Sequence, residues 1–144
     1  MLPPAWFLLS LITAAALHWL VPGPRLLASP YTLVGVLFIV GGLVLIIAPA
    51  RSFDGAKTAI NPFGQPTVFL MEGWYRLTRN PMYLGMVLAT FGVVVLLGTA
   101  TSLLAPIGLL LVLDRRFVRH EEGTLRSTFG TSYDAYCRRV RRWV

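Results

Sequence analysis

Charge is scarce in this sequence of 144 residues: 13% are Asp, Glu, Lys or Arg, about half the ~25% usual in a soluble domain. That leaves too little polar side chain to cover a globule in water. Disorder is excluded from the other side, because 56% of the residues are hydrophobic. The single cysteine, Cys137, rules out a disulfide framework. With it stand only two distant histidines, His18 and His120, so no Cys/His zinc site forms and no metal is expected. No glycine fingerprint follows a strand and no phosphate-binding loop is present, which excludes a Rossmann-type site. Acidic residues number six against thirteen basic ones, for a net charge of +7. The basic residues do not sit on a polar domain, so nucleic acid is not the implied partner.

What the chain has instead is long apolar runs. Residues 1–24, 26–50 and 80–113 carry no charged side chain. A membrane-spanning helix needs ~20 apolar residues, within about 17–25. Residues 4–21 and 31–48 each supply one. The run from Pro81 to Leu113 would reach about 50 Å as a single helix, well past the ~30 Å hydrocarbon core. Folded at Gly98-Thr99-Ala100-Thr101-Ser102, it becomes two spans, 82–98 and 102–119. The expectation is one all-α membrane domain over 1–144: about four transmembrane helices, a cytoplasmic loop 51–79 and a cytoplasmic tail 120–144.

Orientation follows from the basic residues. Four lie in 51–79 and eight between Arg115 and Arg142, with Arg25 alone on the other side, so the positive-inside bias places both termini in the cytoplasm. Trp6 and Trp19 bracket the first span about 20 Å apart, as interfacial anchors would. The first span lacks a basic leader and a small-residue cleavage site, so it is expected to be retained. Twelve of the thirteen basic residues are arginine, a bias suggesting a GC-rich prokaryote and hence an inner membrane. Pro49 reads as a helix end and Pro106 as a kink near a helix start. His18 reads as an anchoring or packing residue, and Cys137 as a packed apolar residue rather than a lipidation site.

Two polar elements carry the chemistry. In Arg79-Asn80-Pro81-Met82-Tyr83-Leu84-Gly85, Asn80 is an expected N-cap and Pro81 a favoured first helical residue. Free N–H groups at such a helix start receive an anion such as a carboxylate, and Arg79 adds a fork of donors. Gly85 permits close approach of another group. The plainer alternative is a capped helix start with an interfacial tyrosine. In the second element, Asp114-Arg115-Arg116 leads to His120-Glu121-Glu122. Helical spacing groups Arg115, Arg119 and Glu122 on one face and Asp114, Glu121 and Leu125 on another. These are either ordinary surface ion pairs or a carboxylate that receives hydroxyl or ammonium donors, its charge held by an arginine. Gly130 then reads as a helix stop and Thr131 with Asp134 as a capping box. Tyr133, Tyr136, Val140 and Trp143 follow at helical spacing among four arginines, as in an amphipathic interfacial helix drawn to anionic lipid headgroups.

These parts, together with Gly73-Trp74-Tyr75-Arg76 upstream and Phe129-Gly130, Tyr133, Tyr136, Val140 and Arg142-Trp143 downstream, resemble the membrane-embedded methyltransferases. That group includes isoprenylcysteine carboxyl methyltransferase and the phospholipid methyltransferases. The likeness covers roughly residues 60–144. It implies S-adenosylmethionine-dependent methyl transfer to a membrane lipid or to a prenylated small molecule or protein. By position, Arg79, Asn80 and Tyr83 would hold the amino-acid end of the cofactor, and Gly85 would also belong to the cofactor-binding set. Gly73 and Tyr75 would lie near its adenosine, and His120, Glu121 and Glu122 would bind its polar groups. Glu121, Glu122 or His120 would act as a base only for an amine acceptor. Asn80 stands where these families often have histidine, and Arg141 where the tail often has proline. The competing readings are an NADPH-dependent reductase of the membrane sterol type and a non-catalytic four-helix scaffold.

Overall fold

The apolar runs form helices in the computed structural model, which describes residues 2–55 and 72–144. In chain order these are α1 (Pro3–Leu20), α2 (Gly35–Gly55), α3 (Pro81–Leu97), α4 (Leu104–Leu113) and α5 (Arg119–Arg139). The fold is all-α, and the described residues contain no strand beyond one isolated bridge, Arg25 with Thr99. Pro3–Leu20 and Tyr31–Arg51 are long and apolar enough to cross a membrane. Of the expected 51–79 loop, residues 56–71 lie outside the described residues. Its start is helical, because α2 continues to Gly55 with Pro49 inside it. Proline thus fails to end this helix, and the reading of Pro49 as a terminus is corrected. Pro106 falls in the first turn of α4, where a missing N–H costs little.

The bundle wears its greasy side outward. Leu8, Ile12, Leu37, Val40, Ile107 and Leu111 are all exposed, while several contacts between helices use small and hydroxyl-bearing residues. The Cβ that Gly42 lacks would lie 2.6 Å from the Gly85 carbonyl oxygen, and that of Gly92 2.6 Å from the Gly35 carbonyl oxygen. Four glycines in two reciprocal pairs let the antiparallel helices α2 and α3 touch backbone to backbone. Ser10 of α1 shares a 3.1 Å hydrogen bond with Thr90 of α3, and the Ser102 hydroxyl donates to the Ala14 carbonyl at 3.1 Å. Such bonds average ~0.6 kcal/mol in membrane bundles, so they fix register more than they add stability.

At one end, the α3–α4 turn is set by Gly98 at φ 68°, a left-handed conformation that glycine adopts without strain. The Gly98 carbonyl accepts the Leu26 N–H at 2.8 Å. His18 packs there, its Nδ1 3.1 Å from the Thr99 hydroxyl and its ring edge-on to Trp19. Trp19 is fully in the outer environment, at 77% exposure. Trp6, by contrast, packs on the core under the Arg116 guanidinium, 5.9 Å from its ring centre. It is therefore a packing residue as much as an interfacial one.

At the other end α4 runs without a break into α5 through a wide π-type turn, Asp114–Val118. The extra residue per turn sets Asp114 opposite Arg119, five residues on, at 3.1 Å. Arg119 thus pairs with Asp114, and the partners of Glu122 are Arg79 and Arg142. Within α5, Gly130 is non-helical at φ 49°, ψ −121°, the break anticipated at that residue. Asp134 does not turn back to the helix start but pairs with Arg126 at 3.0 Å. The helix beyond Gly130 buries Tyr133, Tyr136 and Val140 against Leu125 and Phe129. The apolar face of this helix is covered by the chain itself, while Arg138, Arg139 and Arg141 stay exposed.

Candidate active site

The start of α3, the π turn, the first turn of α5 and the segment after Val140 meet at this second end of the bundle. Its floor is apolar: Met86, Leu109, Leu113 and Phe117 form a buried cluster on which Tyr83 and Trp143 pack. Above it lies a set of charges that chain separation alone would not pair. Glu122 accepts from Arg79 Nη1 at 2.9 Å and from Arg142 through Nε at 3.0 Å and Nη2 at 2.6 Å. The side chains of Arg79 and Glu122 are only 16% and 13% exposed. A surface ion pair is worth ~0–1 kcal/mol, but one this sheltered holds its geometry, since removing one partner strands the other. Asp114 accepts from Trp143 Nε1 at 3.3 Å and from Arg142 Nη1 at 3.4 Å.

The second carboxylate is placed differently. Glu121 accepts a short hydrogen bond from the Tyr83 hydroxyl. Burial raises its pKa, the Tyr83 bond lowers it and the neighbouring Glu122 charge raises it, so that it is pushed up to about 7. Burial also raises Tyr75, with the Glu121 charge adding to it. Tyr136 is pushed up to about 12, chiefly by burial, and its hydroxyl donates to the Tyr75 carbonyl at 2.6 Å. That bond ties the short 3-10 turn Gly73–Arg76 to α5. The mouth thus holds one carboxylate fixed by two arginines and, beside it, one poised to gain or lose a proton near neutrality.

Of the expected site residues, Arg79, Tyr83, Glu121 and Glu122 are brought into direct contact, and Asn80 and Tyr75 adjoin them. Asn80 makes no side-chain cap on α3; its Nδ2 donates to the Arg142 carbonyl at 3.0 Å instead. Gly73, at φ 60°, lies in open space, and His120 is exposed. Gly85 belongs to the α2–α3 contact, not to this cluster. The close approach it permits is that of a neighbouring helix. Asp114, Arg142, Trp143 and Thr78 are members that motif spacing did not assign. Helical spacing groups Asp114 with Glu121, and the resemblance includes Arg142-Trp143; nothing in the sequence points to Thr78.

Does this donor set suit the cofactor that the resemblance implies? Arg79 Nε is buried and has no hydrogen-bond partner among the described residues, a donor left over for an anion. The α3 start adds its first-turn N–H groups and positive dipole end. Two carboxylates supply acceptors for ammonium or hydroxyl groups. An amino acid with an attached nucleoside has this complement of charges, so the residues fit. Against models of protein families, residues 31–132 match that of the phospholipid methyltransferases. No curated protein matches the chain.

Proposed function

The chain belongs to the phospholipid methyltransferase family, and from that premise we propose that it transfers methyl groups from S-adenosylmethionine to a membrane-borne lipid at the polar mouth of the bundle. The observation that supports this most is the meeting of Arg79, Tyr83, Glu121 and Glu122 above an apolar floor. In this reading Arg79 and the α3 N–H groups hold the carboxylate of the cofactor, Glu122 its ammonium, and Tyr75 lies toward its adenosine. Bound there, S-adenosylmethionine supplies an electrophilic methyl group on a sulfonium. The chain's own task is then alignment, which accounts for most of the catalysis available to an in-line displacement. A carboxylate acceptor needs no base. An amine acceptor has to lose a proton first, and Glu121 Oε1, held by the Tyr83 hydroxyl, is placed to take it. The mouth lies on the cytoplasmic side, where the flanking arginines gather, so a water-borne donor and a lipid-borne acceptor meet at one interface.

Purified protein titrated separately with S-adenosylmethionine and NADPH tests the reading. Saturable binding of the former is expected, with Glu122→Ala and Tyr83→Ala each weakening it about tenfold or more. Saturable binding of NADPH alone would turn the reading to a reductase, and binding of neither to a scaffold.

A further inference from the structure

Beyond Val140 the chain leaves helical geometry, at φ −121° and ψ 130°, and crosses back over the start of α3. Residues 140–144 make a strap, and it lies outside the segment matched to the family. Its grip is specific. The Arg79 N–H donates to the Arg141 carbonyl at 3.0 Å, and the Thr78 hydroxyl and Asn80 Nδ2 both donate to the Arg142 carbonyl at 3.0 Å. The guanidinium of Arg142 makes a two-pronged bond to Glu122, and Trp143 anchors the strap on Asp114 and the apolar floor. Arg142 thus presents an oxygen acceptor to the donors at the α3 start and a cation to Glu122. Two of the groups it occupies, Asn80 and Glu122, are among those expected to receive the carboxylate and the ammonium of the cofactor's amino-acid end.

We propose that Arg142 is an internal stand-in for the amino-acid end of the cofactor, and that the strap lifts when the cofactor binds. The inference rests on the reading of the mouth given above. Arg142 is suited to leaving: its side chain is 36% exposed against 13% for Glu122, so water can take over its charge as it swings out. A site closed by its own strap binds with an affinity reduced by the fraction of molecules that are open. Loosening the strap therefore strengthens binding, whereas removing a true binding residue weakens it.

The experiment is calorimetric titration of wild type, Arg142→Ala and Trp143→Ala with two probes, S-adenosylhomocysteine and 5′-methylthioadenosine. The second probe lacks the amino-acid end. S-adenosylhomocysteine is expected to bind Arg142→Ala about tenfold more tightly, the change for a strap closed in roughly nine of ten molecules, while 5′-methylthioadenosine is unaffected. Trp143→Ala, which keeps the guanidinium but loses the anchor, shifts in the same direction. Weaker binding of S-adenosylhomocysteine to Arg142→Ala overturns the inference, and so does an equal change for both probes. Wild type that binds neither probe overturns the reading beneath it as well. Unchanged 5′-methylthioadenosine binding also shows that each variant is folded.

Discussion

Glu121 combines burial with a hydroxyl partner, and the combination has consequences at two levels. Its folded-state pKa of about 7 lies above the ordinary 4.5, so between those values the folded protein holds a proton that the unfolded chain has released. Stability contributed by this group is fully present below pH 4.5 and is lost as pH rises through about 7. The thermal unfolding midpoint should fall across that window, and Glu121→Gln should flatten the fall. Activity runs the other way: with an amine acceptor, initial rates rise as pH passes about 7, and Glu121→Gln lowers them about 10²-fold or more. Tyr83→Phe removes the bond that lowers the Glu121 pKa, so the residual rate profile moves to higher pH. Arg79, Glu121 and Glu122 stood out in the sequence as candidates because charged side chains beside an apolar run are scarce, and the structure gathers them at one mouth. Asn80 takes the N-cap position of α3, but its side chain does not cap it. Its true partner, the Arg142 carbonyl, is 62 residues away, and no local rule reports a chain return of that length.

The helices were largely readable from apolar length and from glycine and proline, but their partners were not. Gly35 and Gly42, like Gly85 and Gly92, are seven residues apart, a spacing that keeps two glycines on nearly one helix face. The pairing of the two sets emerges only once α2 and α3 are antiparallel. Gly42→Ala places a Cβ 2.6 Å from backbone atoms of α3 and should cost about 1–3 kcal/mol by overpacking. Gly108→Ala meets nothing within 4 Å and should leave the unfolding midpoint unchanged or slightly raised. Thermal unfolding in detergent distinguishes the two. Gly130→Ala should cost about 1–3 kcal/mol, since φ 49° with ψ −121° is a region open essentially to glycine alone. Straightening α5 there would also pull Tyr136 from Tyr75, so cofactor affinity should drop with stability. The helix after Gly130 shows how far an amphipathic pattern reaches. A stripe of Tyr133, Tyr136 and Val140 announces a covered face without saying whether lipid or protein covers it.

For the molecule as a whole, an apolar exterior around a small-residue interior gathers polar side chains at one mouth. α1 brings Trp6, α2 Ile46, α3 Tyr83 and the π turn Phe117 to the same floor, so the mouth exists only if all four rods end there together. The proposed reading puts the two ends of the bundle on opposite sides of the membrane. In intact vesicles, with Cys137→Ser as background, a membrane-impermeant label should reach single cysteines at Arg76 and Arg138 from one face and a cysteine at Leu26 from the other. The claim on which the account stands is that this mouth moves a methyl group onto a lipid. It is tested most directly by reconstituting the purified protein into vesicles of total lipid extract and adding S-adenosylmethionine labelled in its methyl group. Label should enter the lipid fraction in proportion to protein and time, and fall at least tenfold with Glu122→Ala. Folded protein that binds the labelled donor and leaves every lipid unlabelled would contradict the account.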